Sequence, residues 1–303
     1  MRVVYTVTLN PALDYEVLVD GFRPGELNRT SREQLHFGGK GVNVSTVLHS
    51  LGVETTALGF AAGFTGRALE NGLKALGIPT DFVWLEEGLT RVNVKIRSGG
   101  GETEVNGRGP AIPVPALEAL LRKLDRLEAG DVLVLAGSLP AGLPGDVYRT
   151  ILDRVAGRDV LTVVDAARDL LKGVLPCRPF LIKPNRAELG ELFGTESLTE
   201  EEVLSCARSL QTQGARNILV SLAGDGSLLL DETGGLRRLG VPPGVVRHTV
   251  GAGDSMVAGF LAGWLSTRDY TAAHRMGAAA GAATVFSEGL ATGEEIRALL
   301  EAI

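Results

Sequence analysis

Short apolar runs recur along the chain with almost no polar residue inside them: Asp131 to Ala136, Val160 to Asp165, Phe180 to Lys183 and Asn217 to Leu222. A strand with one wet face alternates apolar and polar residues, so runs this continuous point to strands buried on both faces. Between them, and around a further candidate strand at Thr55 to Phe60, lie stretches with helical spacing. These are Val42 to Ser50, Arg67 to Leu76, Pro115 to Leu127, Gly145 to Val155 and Glu200 to Gln213. Strand then helix, repeated, builds a mostly parallel sheet with helices on both sides. Ligands in such sheets sit beyond the carboxyl ends of the strands. Those ends carry Gly137-Ser138-Leu139-Pro140, Asp165, Lys183-Pro184-Asn185 and Ala223-Gly224-Asp225-Gly226, and a first strand, Val3 to Leu9, stops at Asn10-Pro11. The unusual polar and glycine residues therefore converge on one edge.

Two stretches break the rhythm. Residues 12–37 and 90–106 alternate apolar and polar residues around glycine-containing turns, the period of strands with one wet face. Too short and polar to form a core alone, they predict a small sheet over the main body, acting as a lid or as a dimer contact. At 303 residues the chain fits one domain, 1–303, carrying these insertions.

The formal charge of −6 argues against a broad basic face for nucleic acid or for an anionic membrane, so any anion must be met locally. Two cysteines, Cys177 and Cys206, form no CxxC pair, and no histidine is spaced as a metal partner. Neither a disulfide framework nor a zinc site is expected. No secretory leader and no membrane-spanning stretch is evident, which predicts a cytoplasmic protein.

Two glycine-rich stretches open candidate helices. Gly38-Gly39-Lys40-Gly41-Val42-Asn43 precedes apolar positions 42, 44, 47, 48 and 51. Gly251-Ala252-Gly253-Asp254 follows a strand-like Val245 to Val250 and precedes Val257, Phe260, Leu261 and Trp264, spaced as one helix face. Helix mouths attract anions through unpaired amides and aligned peptide dipoles. Neither stretch is a Walker A loop, and no G-x-G-x-x-G occurs. A tight turn with an exposed lysine would account for the first, and a helix-capping acid for Asp254.

Five motifs in order decide between these readings. TLNPALD at 8–14, GGKGVN at 38–43, AGSLP at 136–140, KPNRAEL at 183–189 and VGAGDSMVAG at 250–259 resemble the ribokinase-like sugar kinases of the PfkB family. Within it they resemble the branch of phosphosugar kinases that contains 1-phosphofructokinase and tagatose-6-phosphate kinase, and TRVNVKI at 90–96 combined with KPNRAEL favours the former. The resemblance implies a three-layer α/β/α fold with a small β-sheet lid, and ATP-dependent phosphorylation of a phosphorylated ketohexose.

It also implies roles. Asp254 is the base that takes the proton of the sugar hydroxyl, and the amides of Gly251, Ala252 and Gly253 form an anion hole for the phosphoryl group. Asp14, Gly38, Gly39 and Asn43 hold the sugar; Lys40 and Arg91 grip the phosphate it already carries, with Ser138 beside them. Lys183, Asn185 and Glu188 serve the nucleotide phosphates. Asn185 and Glu188 act on Mg²⁺ indirectly rather than as a carboxylate cage, and Ser221, Gly224 and Gly226 line the ribose and adenine pocket. A monovalent cation near the Val250 backbone belongs to the same expectation, whereas the two amphipathic insertions, with apolar faces one protomer leaves uncovered, predict a homodimer in which the small sheets pair. Tagatose-6-phosphate kinase and 6-phosphofructokinase remain open as acceptor choices. Outside the class stand a non-catalytic sugar-phosphate-binding regulator, which gains nothing from Asp254, and a nicotinamide oxidoreductase, disfavoured by the missing dinucleotide motif.

Overall fold

In the computed structural model, which describes residues 2–303, the chain alternates strand and helix after an early detour. The strands are β1 (Val4–Thr8), β2 (Ala12–Leu18), β3 (Arg32–Gly38), β4 (Thr55–Ala62), β5 (Val83–Leu85), β6 (Arg91–Ser98) and β7 (Gly101–Asn106). They continue with β8 (Val132–Ala136), β9 (Leu161–Asp165), β10 (Leu181–Ile182), β11 (Asn217–Ser221), β12 (Ser227–Leu230) and β13 (Leu236–Leu239). The helices are α1 (Lys40–Ser50), α2 (Gly63–Ala75), α3 (Val114–Leu124), α4 (Val147–Val155) and α5 (Arg168–Val174). The second half adds α6 (Arg186–Phe193), α7 (Glu200–Thr212), α8 (Ala252–Thr267), α9 (Tyr270–Phe286) and α10 (Gly293–Glu301).

Nine strands form one sheet in the order β13-β12-β11-β10-β9-β8-β1-β4-β5, parallel from β11 to β5. The winding runs outward from β1 in both directions, so β1 and β8 flank the switch point where a ligand crevice is expected. The continuous apolar strands are explained by their two destinations. In β8, Leu133 and Leu135 join the core under α3, α4 and α7, while Val132 and Val134 join the core under α1, α8 and α9. Each successive residue enters a different layer, which leaves no position for a polar side chain.

Residues 12–38 and 91–106 form the second sheet, order β3-β2-β6-β7, in which β2 and β6 are parallel and the outer pairs antiparallel. Two details differ from the sequence reading. Ser227–Leu230 and Leu236–Leu239 add an antiparallel edge hairpin that the parallel rhythm does not announce. Residues 245–250, read as strand-like, are irregular: Val245 is 79% and Val246 65% exposed. The Arg247 amide is instead taken by the Val285 carbonyl at the end of α9, at 2.9 Å. Among the described residues no helix is long and apolar enough to cross a membrane.

Candidate active site

The two glycine-rich helix mouths face each other at the carboxyl edge of the large sheet. At α8, Gly251 takes the N-cap position with φ of 79°, a left-handed conformation that favours glycine. No side chain caps the helix, so Asp254 is not spent on its amides. Its carboxylate is buried and accepts a 2.7 Å hydrogen bond from the Asn43 amide on α1. Burial, and then the negative charge of Asp165, push Asp254 up to about 7, against the opposing pull of Asn43, Lys40 and Lys183. A carboxylic acid poised there can exchange a proton near neutral pH.

At α1, Gly39 has φ of 111° and lies against Thr8 and Pro11, with no room for a side chain. Lys40 follows it, and its ammonium lies 3.3 Å from Asp165 Oδ1. Lys183, beyond β10, reaches the same oxygen at 3.5 Å. The Asp165 side chain is fully buried, and its Oδ2 has no hydrogen-bond partner among the described residues. Burial works against the Lys40 charge, yet Asp165, Asp254 and Glu188 outweigh it and hold this lysine above its ordinary range. Gly253 lets Lys183 approach closely, since a Cβ there would sit 2.8 Å from its Nζ and push the lysine tip aside.

The small sheet supplies the opposite wall. Asp14 on β2 stands in register with Asn93 on β6, and the Asn93 amide donates to Asp14 Oδ1 at 2.7 Å. Asn93 Oδ1 in turn accepts from the Gly107 amide, so Asp14 is held in one orientation. Arg91 donates through Nε to the Asn10 carbonyl at 3.0 Å, which leaves its two terminal nitrogens free. Burial lowers the Arg91 pKa and Asp14 offsets part of that.

On the far side, Asn185 and Glu188 cap α6 reciprocally. Asn185 Oδ1 accepts from the Glu188 amide and Glu188 Oε2 from the Asn185 amide, each at 2.8 Å. Ser221, Gly224 and Gly226 follow at the end of β11 and in the turn beyond it. There Ala223 adopts a left-handed φ of 51°, and Gly226 one of 91°.

These groups share one cavity of about 1000 Å³, large enough for two small substrates. Of the residues expected from sequence, all but Gly38 and Ser138 line it. Gly38 sits behind Asp14 and lines an adjoining smaller cavity. Ser138 is exposed on the loop after β8 and does not line this cavity. Two residues gained no role in the sequence reading. Asp165 was legible only as a strand end, although both lysines converge on it. Asn93 lay inside TRVNVKI, and the two-residue spacing from Arg91 was the signal that both share a face. No group of three His, Cys, Asp or Glu side chains among the described residues is arranged to hold a metal ion.

Two opposed helix mouths, paired lysines and a buried carboxyl at the edge of a parallel sheet have the chemistry that phosphoryl transfer requires. The pfkB family carbohydrate kinase model matches residues 7–297, and the chain belongs to that family. It is an ATP-dependent sugar kinase of three-layer ribokinase-like fold. Over 297 residues it is 43% identical to the 1-phosphofructokinase of Bacillus subtilis, covering 98% of this chain and 97% of that protein. It is 38% identical over 288 residues to the D-tagatose-1-phosphate kinase of Bacillus licheniformis, covering 95% and 94%. Among solved structures it superposes on Escherichia coli phosphofructokinase-2 in complex with fructose-6-phosphate with a TM-score of 0.92 at 27% identity, covering 100% and 99% of the two chains.

Proposed function

We propose that the chain phosphorylates the free terminal hydroxyl of a ketohexose 1-phosphate, converting fructose 1-phosphate and ATP to fructose 1,6-bisphosphate and ADP. The observation that carries the chemistry is the buried Asp254, poised near neutrality in the first turn of α8, where no side chain caps the helix. The Asp254 carboxylate takes the proton of the attacking hydroxyl as that oxygen bonds to the γ-phosphorus and the bond from the γ-phosphorus to the bridging oxygen breaks, releasing ADP. The amides of Gly251 to Gly253 and the ammonium of Lys183 face the charge that develops on the transferred group. Asp14, fixed by Asn93, accepts from sugar hydroxyls together with Gly39 and Asn43. Lys40 and the free end of Arg91 meet the phosphate already present, Arg91 through two N–H groups.

ATP lies on the side of Ser221, Gly224 and Gly226, with its phosphates toward Lys183. Mg²⁺ bound to those phosphates would shield their charge. With Asn185 Oδ1 and Glu188 Oε2 spent on the cap, the second Glu188 oxygen suits a hard cation that keeps part of its water shell, and Asn185 acts on it only by fixing Glu188. A monovalent cation near Val250 is part of the reading. So are a cytoplasmic location and a single domain whose small sheet acts as a lid.

The choice of acceptor rests on the two relatives at 43% and 38% identity, both named for ketohexose 1-phosphates. D-tagatose 1-phosphate is therefore the second candidate, ahead of the 6-phosphates. A coupled ADP-release assay over fructose 1-phosphate, tagatose 1-phosphate, fructose 6-phosphate and tagatose 6-phosphate decides. Turnover highest with fructose 1-phosphate is expected, and a preference for either 6-phosphate overturns the assignment.

We also propose a homodimer through the small sheet. Leu35, Tyr15, Val94 and Val105 stand in one row across its four strands, and Leu35 and Val105 are 49% and 58% exposed. A row of this kind needs a cover. Sedimentation at micromolar concentration should give a dimer, and Leu35→Glu with Val105→Glu should give a monomer.

A further inference from the structure

The cavity's four cationic side chains are not held alike. Lys40 and Lys183 rest on the buried Asp165, and Arg91 is tied by Nε to a backbone carbonyl. Arg186, in the first turn of α6, instead pairs with Asp225 in the turn after β11, NH2 to Oδ2 at 2.9 Å. Both partners are partly exposed, at 37% and 56%, and pairs in that setting contribute little. Arg186 Nε is buried and has no acceptor, an uncommon state for a charged donor. Arg186 lines the cavity beside Asn185 and Glu188, whereas Asp225 does not reach it. The turn that carries Asp225 is fixed by the left-handed Ala223 and Gly226. Asp225 thus holds the guanidinium at the wall.

Resting on the kinase reading, we propose that Arg186 is a nucleotide-binding residue of this chain. Asp225 occupies it until a nucleoside polyphosphate arrives, whose phosphate oxygens then replace the carboxylate as acceptors. The exchange suits the chemistry: a guanidinium matches phosphate bidentately, and Asp225, once released, is solvated at the surface. The relation makes the two partners opposite in effect. Removing Arg186 weakens nucleotide binding; removing Asp225 frees the guanidinium and strengthens it.

The test uses the full chain, titrating Mg-ADP and adenosine calorimetrically and measuring KM for ATP and for fructose 1-phosphate. Arg186→Gln should weaken ADP and raise KM for ATP about tenfold, the loss of one charge-assisted contact, with KM for fructose 1-phosphate unchanged. Asp225→Asn should tighten ADP about threefold, and that gain should vanish in the double variant. Adenosine should bind all four proteins alike. An Arg186→Gln protein with unaltered ADP affinity overturns the proposal, as does an Asp225→Asn protein that weakens ADP, because the pair would then be a structural tie. Equal weakening of adenosine overturns it too. Absence of turnover in the unsubstituted chain would instead strike the kinase reading, while ADP binding would still report on Arg186.

Discussion

The mouths of α1 and α8 are built alike and charged oppositely. Each opens on a glycine with positive φ, at 111° for Gly39 and 79° for Gly251, a residue with no side chain to cap its helix; at α1, Thr8 Oγ1 accepts from the Val42 amide. One then presents Lys40, the other Asp254. Both charges answer to the same buried carboxylate: Asp165 draws Lys40 into an ion pair and, through repulsion, helps burial keep Asp254 protonated up to about 7. A glycine turn at a helix mouth supplies close approach and unpaired amides, and the next few side chains decide its use. On the proposed function, the lysine makes its mouth an anion grip and the carboxyl makes the other a place where a proton leaves a nucleophile.

The sharpest way to break this contrast is to neutralise the acidic mouth. Asp254→Asn should lower kcat about 10³-fold, within the range for a positioned general base, and leave the calorimetric affinity for fructose 1-phosphate nearly unchanged. It should also stabilise the protein in alkaline solution. The folded carboxyl holds a proton up to about 7 and the unfolded one only to about 4, so folding takes up a proton between those values and stability falls as pH rises through them. Above that window the unsubstituted chain carries the full penalty, which Asn removes. Tm of Asp254→Asn should exceed that of the unsubstituted chain at pH 8 and match it at pH 4. An active variant, or one with no alkaline gain in Tm, would refute the assignment.

Neutralising the basic mouth should act on binding. Lys40→Met should raise KM for the sugar phosphate roughly 30-fold, consistent with loss of a partly buried charge contact to an anion. Turnover at saturation should change less. A kcat loss as large as that of Asp254→Asn, with KM unaltered, would mean that the two mouths do not divide the labour in this way.

How much of this was readable beforehand follows from which residues advertise themselves. GGKGVN and VGAGD combine glycines with one charge at a helix start, a pattern with few structural uses, and both reached the cavity. The parallel sheet was readable because β8 and β9 have no polar side. Asp165 was not, because an aspartate ending a strand is commonplace and its meaning comes from two lysines 125 and 18 residues away in sequence. Ser138 stands where its motif announced, on the loop after a strand end, but its side chain is exposed and outside the cavity lining. Val245 to Val250 looked like a strand because β-branched residues dominate it, whereas its backbone is claimed by α9.

Asp165→Asn tests the shared hub. Losing its charge should lower the pKa of Asp254, since Asp165 is a leading cause of its elevation, and move the acid limb of kcat/KM down by about one pH unit. It should also raise KM for both substrates, because Lys40 and Lys183 lose their common anchor. An unmoved acid limb would disconnect the two mouths electrostatically.

The smallest effect belongs to the direct link between them. Asn43 donates from α1 to the Asp254 carboxylate, which favours the charged form and opposes burial. Asn43→Ala removes that donor and leaves the remaining causes in place, so the acid limb should move upward, opposite to Asp165→Asn, by up to about one unit. Asn43 also lies where the sugar is proposed to sit, so KM for fructose 1-phosphate should rise as well. The pH dependence of kcat at saturating sugar phosphate separates the two consequences. A limb that shifts downward, or a change confined to KM, would show that Asn43 serves the sugar alone and that the mouths communicate only through Asp165.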